Sequence, residues 1–233
     1  MALPFFEEPA RPGDALGVAP ALASWDKTGS PGQLRMNSFI DDVHDLVSAQ
    51  LASFPAPLAI RLDVGLPDSI ELLARHDLDN YLYPLVPQLT KRTGQPFVSV
   101  WASKAHSDRS TVGVETAIPT ADPGGQRSFD VVITKAGGTA AYKEQIRDQI
   151  AATTPLSEGA VELQLAFVTG PGRAWPNLWK ATIDALGPIL GRDDGASEWN
   201  NRDGRITMLG LHHVVDASQG HSVRLGIRAS AVS

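Results

Sequence analysis

Residues 75–80, with the sequence Arg-His-Asp-Leu-Asp-Asn, hold the residue types in this chain best suited to chemistry. Asp77 and Asp79 are two positions apart. On a helix their side chains would point roughly 160° apart, whereas on an extended segment they would share one side. We therefore expect the segment to be extended. It lies just before an apolar helical pattern, and the positive end of a helix dipole favours ionised carboxylates.

Two ionised Asp side chains repel each other unless a cation lies between them, and Mg²⁺ prefers oxygen ligands. The pattern therefore predicts a Mg²⁺ site with Asp77 and Asp79 as metal ligands. In the alternative, Asp79 or Asn80 only caps the helix and Asp77 is solvated. Spacing alone leaves both interpretations open.

An internal repeat places these residues within a fold. Residues 39–67 align without gaps on residues 142–170, an offset of 103 positions. Each segment has apolar residues at helical spacing followed by the alternation of a half-buried strand. Identities are few, so chance periodicity is the alternative to a true repeat.

Each unit has the predicted order β, α, β, α, β, β. The opening strand is clear in the second half at residues 129–134 and hard to find in the first. This order favours an α+β fold over a doubly wound parallel sheet, which would alternate strand and helix throughout. We predict an irregular leader at 1–34 and two units at 35–118 and 128–233. A Gly- and Pro-rich linker separates the units.

Composition bounds the function. The chain has 233 residues, 42% hydrophobic content and no cysteine. These values are typical of a globular protein without disulfides, and we expect a cytoplasmic location with no membrane segment or signal peptide. The net charge of −6 argues against nucleic-acid binding through a broad basic surface. A nuclease whose carboxylates bind metal ions can still be acidic overall.

The first unit resembles the RusA-type Holliday junction resolvases. That family has a D-L-D-N-L-x-K motif at the start of a helix that follows a strand, and residues 77–80 match its first four positions. The resemblance implies Mg²⁺-dependent hydrolysis of branched DNA by a dimer of α+β subunits. Tyr83 stands where the family has Lys, and Pro84 and Pro87 are expected to disturb the helix.

The second unit has the complementary pattern. Lys180 falls on the motif lysine, while Ala174 and Pro176 replace the two Asp residues. Asp203 resembles the family's second acidic position, and the Asp pair at 193–194 competes for that role. Neither unit holds the full set of residues.

The resemblance therefore implies Asp77, Asp79 and Asp203 as catalytic residues, and Lys180, Asn80 and Asn177 as substrate contacts. It implies a site within one unit, so a site that joined the Asp pair to Asp203 would be new geometry. The alternative is a duplicated fold without catalytic activity that binds DNA or protein. Either way, we predict a monomer in which the two units form an intramolecular pseudo-dimer, with Trp101 and Trp179 buried between them.

Overall fold

The computed structural model describes residues 2–10, 13–24 and 26–232. Within those ranges the chain forms ten strands and five α-helices. The strands are β1 (Phe5–Phe6), β2 (Asp14–Ala15), β3 (Leu58–Leu66), β4 (Phe97–His106), β5 (Thr111–Thr116), β6 (Pro119–Thr120), β7 (Arg127–Ile133), β8 (Val161–Thr169), β9 (Ile206–Val215) and β10 (Val223–Ala231).

The helices follow the predicted order. They are α1 (Pro31–Leu51), α2 (Leu78–Thr93), α3 (Ala140–Ile150), α4 (Pro176–Asp184) and α5 (Gly187–Leu190). A short 3₁₀ turn, Asp203–Arg205, leads directly into β9. The fold is mixed α and β, as expected, and no helix in the described ranges is long and apolar enough to cross a membrane.

Eight strands form one sheet in the order β2-β5-β3-β4-β9-β8-β10-β7. In the first half, β3 is parallel to β4 and antiparallel to β5. In the second half, β8 is parallel to β9 and antiparallel to β10. The two sets meet where β4 pairs antiparallel with β9. The strand order therefore has the same pattern when it is followed outwards from this central pair in either direction.

The opening strand of the first half, which the sequence did not reveal, is β2. It pairs antiparallel with β5, just as β7 pairs antiparallel with β10. With only two residues, β2 is too short to show a periodic pattern.

The leader is packed and partly regular, which differs from the irregular segment expected at 1–34. The α1 helix begins at Pro31, where Ser30 accepts a hydrogen bond from the amide of Gln33. Phe5 is buried and its ring meets that of His212 edge-on at 5.6 Å. Pro31 suits the first helical turn because its missing N–H has no intrahelical partner there.

Alternation along β3 divides the sheet into two faces. Leu58, Ile60 and Leu62 belong to the buried core together with apolar residues of the helices. Arg61 and Asp63, which alternate with Ile60 and Leu62, pair with each other at 2.9 Å on the other face. The helices pack on the apolar face of the sheet, and this packing fixes the position of their first residues.

The α2 helix continues through Pro84 and Pro87, so the expected disturbance is absent. A proline at position 84 cannot donate to the carbonyl of Asn80, four residues earlier. That carbonyl instead accepts from the amide of Ala23 in the leader at 2.8 Å. The leader thereby supplies the hydrogen bond that Pro84 removes.

Candidate metal centre

The candidate site lies at one end of the central strands of the sheet. The parallel strands β3 and β4 both end there, and α2 begins there after the loop that follows β3. Because β9 runs antiparallel to β4, it starts at the end where β4 finishes. The start of β4 lies at the opposite end of the strands, so residues just before β4 cannot reach the start of α2. An acid before β9 can.

This topology corrects the expectation of a site within one unit. Asp77 and Asp79 come from the first half and Asp203 from the second, and one carboxylate oxygen from each lies within 4.8 Å of the other two. Among the described residues, this is the single group of three or more acidic or histidine side chains that converge in this way. Below we call it the acid cluster.

The Asp pair converges although only part of its segment is extended. Asp77 is at the N-cap position of α2 with φ −61° and ψ 128°, whereas Asp79 is in the first helical turn. The side chain of Asp77 makes no capping hydrogen bond to the backbone and instead accepts one from the side-chain Nδ2 of Asn80 at 3.1 Å. Neither Asp79 nor Asn80 caps the helix, so the simple capping alternative is wrong.

Asp79 is the most buried member of the cluster, with 2% of its surface exposed. Its Oδ2 atom is buried and has no hydrogen-bond partner. Burial, which Lys180 opposes and the nearby carboxylates reinforce, raises the pKa of Asp79 to about 7. An orphaned buried carboxylate oxygen beside two more carboxylates is the arrangement that a cation would stabilise.

Lys180 lies against the cluster from the second half. Its Nζ is 3.2 Å from Asp203, 3.2 Å from Asp184 and 3.8 Å from Asp79. Burial alone lowers the pKa of Lys180, but these carboxylates together raise it above its ordinary value. The lysine predicted to contact phosphate is thus charged and paired with acids.

Asp203 and its competitor behave differently. Burial, and then the carboxylate of Asp77, raise the pKa of Asp203. Asp193 has a side chain that is 83% exposed and pairs with Arg202 at 3.6 Å. Asp203 therefore joins the acid cluster, while the pair at 193–194 does not.

Lys104, near the end of β4, was missed by the sequence reasoning. It is 3% exposed, and its Nζ donates to the carbonyls of Arg75 at 2.9 Å, His76 at 3.1 Å and Gly204 at 2.7 Å. These carbonyls belong to the segments just before Asp77 and just after Asp203. Burial lowers the pKa of Lys104 to about 8. One ammonium thus holds together the two segments that carry the acid cluster.

Gly204 makes this close approach possible. A Cβ at this position would lie 2.7 Å from the carbonyl oxygen of Leu73, closer than such atoms can come. His76, on the other side of the contact, has φ 63°, a left-handed conformation that is unfavourable for a residue with a side chain. Its ring bonds to the hydroxyl of Tyr81 at 2.6 Å. The backbone is therefore constrained on both sides of the site.

Two cavities open beside the cluster. One of about 670 Å³ is lined by Asp77, Asn80 and Asp203. Another of about 280 Å³ is lined by Asn80, Asn177 and Lys180, together with Lys143 and Asp184. Asn80 lines both, so the three predicted substrate contacts border the space next to the acids.

Comparisons with known proteins do not identify the chain: no family model matches it, and no curated protein matches it. The interpretation of the site therefore depends on its geometry.

Proposed function

We propose that the protein is a Mg²⁺-dependent endodeoxyribonuclease that acts on branched or structured DNA, similar to the RusA-type resolvases. The observation that carries the proposal is the acid cluster, in which the buried Oδ2 of Asp79 has no hydrogen-bond partner and only an ion pair with Lys180 at 3.8 Å. Three carboxylates from two segments, one of them almost fully buried, are costly to keep together without a cation.

The donor set fits a hard divalent ion, because all three side chains offer oxygen. Asp77, Asp79 and Asp203 would hold Mg²⁺, which when bound activates water and neutralises charge on a phosphate. When the metal ion neutralises the acids, the ammonium of Lys180 beside them would bind a phosphate oxygen. Asn80 and Asn177 would donate to the DNA backbone from the adjoining cavity.

The reaction consumes one water per strand cut. The water oxygen forms a new bond to phosphorus and one P–O ester bond breaks, which leaves a terminal phosphate and a hydroxyl. The leaving oxygen takes up a proton. Charged phosphates enter an acidic protein here only because the cation and Lys180 offset the carboxylates locally.

We further propose that the two halves are tandem copies that form an intramolecular pseudo-dimer. The symmetric strand order supports this. So does the pairing of Trp101 with Gly210, since these residues occupy the same position in the two repeats. The Trp101 ring packs against His212 of the other half at 5.2 Å. The ring of Trp179 packs edge-on against that of Trp175 in its own half at 4.7 Å, so Trp179 supports the proposal less.

A fused pair should satisfy its ancestral interface within one chain, so we expect a monomer. Light scattering on the purified protein should give 24.8 kDa. A stable mass of twice that value would contradict the pseudo-dimer.

The second candidate is a duplicated fold that binds DNA or protein without cleaving it. It is favoured by the three ion pairs of Lys180, which could neutralise the acids without a metal. Calorimetry with Mn²⁺ separates the two. Saturable binding that disappears in Asp79→Asn supports the metal centre, whereas no binding to the wild type supports the inert module.

The decisive experiment is cleavage of synthetic four-way DNA junctions with Mg²⁺. Wild type should cut, and Asp77→Asn should not. Asp45→Asn is the matched control, because the Asp45 side chain is 85% exposed on α1. Equal cleavage by wild type and Asp77→Asn, or no cleavage by wild type, would overturn the proposal.

A further inference from the structure

We infer that each chain has one cleavage centre and therefore cuts a single DNA strand per binding event, leaving a nick. The inference rests on the proposed function. It comes from the position that the proposed two-fold symmetry of the halves relates to the acid cluster, which we call the mate position.

The acid cluster is shared between the halves, so the mate position must be shared too. Asp77 and Asp79 precede Asn80 by three positions and one, and the equivalent residues before Asn177 are Ala174 and Pro176. Neither can bind a metal ion through its side chain.

The remaining component of the mate position comes from the first half. Asp203 lies three residues before β9, and the residue three positions before β4 is Gly94. Gly94 ends α2 in a left-handed conformation with φ 70°. A carboxylate is therefore absent from all three ligand positions of the mate.

Both lysines are replaced as well. Tyr83 is equivalent to Lys180, each lying three residues after its Asn. His213 is equivalent to Lys104, each lying seven residues after the first residue of its strand. His213 bonds to the hydroxyl of Thr169 at 2.9 Å and stacks on Trp175 at 4.9 Å, so it belongs to packed structure.

The losses in the two repeats therefore fall on one position. The missing lysine of the first repeat and the missing Asp pair of the second would both have served the mate. All five charged residues of the other position are present: Asp77, Asp79, Lys104, Lys180 and Asp203. Across the described parts of the chain, no other group of acids or histidines converges as the acid cluster does.

A two-fold protein with two complete sites can cut two strands of one junction before it dissociates, whereas a single site cuts one. A supercoiled plasmid whose inverted repeat extrudes as a cruciform distinguishes these results. The first cut releases the supercoiling that sustains the cruciform, so only a second cut made within the same complex produces linear DNA.

The test incubates this plasmid, in large excess over the full-length protein, with Mg²⁺. We expect nicked circles as the product and linear plasmid no higher than in a reaction without protein. Asp79→Asn should give no product and Asp45→Asn should behave as wild type. Linear plasmid that appears together with nicked circles from the start would overturn the single centre and leave the proposed function intact. No cleavage at all would overturn both.

A Mn²⁺ titration gives a second measurement that does not depend on cleavage. Asp79→Asn should remove all saturable binding. If half of the wild-type binding remains in that variant, a second independent site exists and the inference is wrong.

Discussion

The starts of α2 and α4 occupy corresponding places in the strand order, yet they have opposite character. The start of α2 has two carboxylates, one of them buried, that meet an acid from the other half. The start of α4 has Pro176 at its first position and no acid in its first turn. The same backbone plan therefore supports either a charged centre or an ordinary helix start, and a few side chains decide which.

Introducing Asn at each helix start should give the largest difference. In Asp79→Asn we expect the affinity for Mn²⁺ to fall by more than about 100-fold, because contacts outside the ligand shell alone are worth about 10–100-fold. Ala174→Asn, which puts an Asn at the mate equivalent of Asp77, should leave the affinity unchanged. Calorimetry measures both, and equal losses in the two variants would contradict the assignment.

Lys104 and His213 provide the next comparison. Lys104→Met leaves three carbonyls without their donor, so we expect the free energy of unfolding to fall by about 1–3 kcal/mol. Because these carbonyls position Asp77 and Asp203, the Mn²⁺ affinity should also fall by about 10–100-fold. His213→Gln should lower stability without changing Mn²⁺ affinity. Urea unfolding and calorimetry on both variants test this, and unchanged metal affinity in Lys104→Met would remove its positioning role.

Two glycines separate a steric effect at the site from ordinary backbone strain. Gly204→Ala places a Cβ against the carbonyl of Leu73, and such overpacking costs about 1–3 kcal/mol. The Mn²⁺ affinity should fall as Asp203 is pushed away. Gly94→Ala meets no atom within 4 Å, so it should cost only the roughly 1–2 kcal/mol of a left-handed alanine. Its metal affinity should equal that of wild type. Similar Mn²⁺ affinities in the two variants would contradict the close approach at Gly204.

The smallest expected effect is a pH dependence. The pKa of Asp79 is raised from 3.8 to about 7, so below pH 7 a proton competes with the metal ion. Mn²⁺ affinity should rise about tenfold per pH unit up to about 7 and then level off. Without metal, the folded protein keeps a proton that the unfolded chain releases between these values, so this group lowers stability as pH rises from about 4 to 7. Asp79→Asn should remove that stability trend, and a trend that persists in the variant would assign it to another group.

Much of the site was accessible from the sequence. Asp77 and Asp79 were identified by type, spacing and place before a helix, and Asp203 by its resemblance to the second acidic position of the RusA-type resolvases. Lys104 carried a weaker signal: alternation along β4 puts it on the same face as Val100 and Ala102, which are buried. A single lysine on an apolar strand face is a candidate for a buried ammonium group whose hydrogen bonds are all made within the protein.

Local sequence determined the order of helices and strands, because periodicity and turn residues act over a few neighbouring positions. It also determined which side chains could bind a metal ion. Only the tertiary structure decided that the site combines the two halves, because that depends on the antiparallel pairing of β4 with β9, strands more than 100 residues apart. That pairing brings Asp203 to Asp77 and Asp79, and it places Gly94, the equivalent of Asp203, at the opposite end of the two strands.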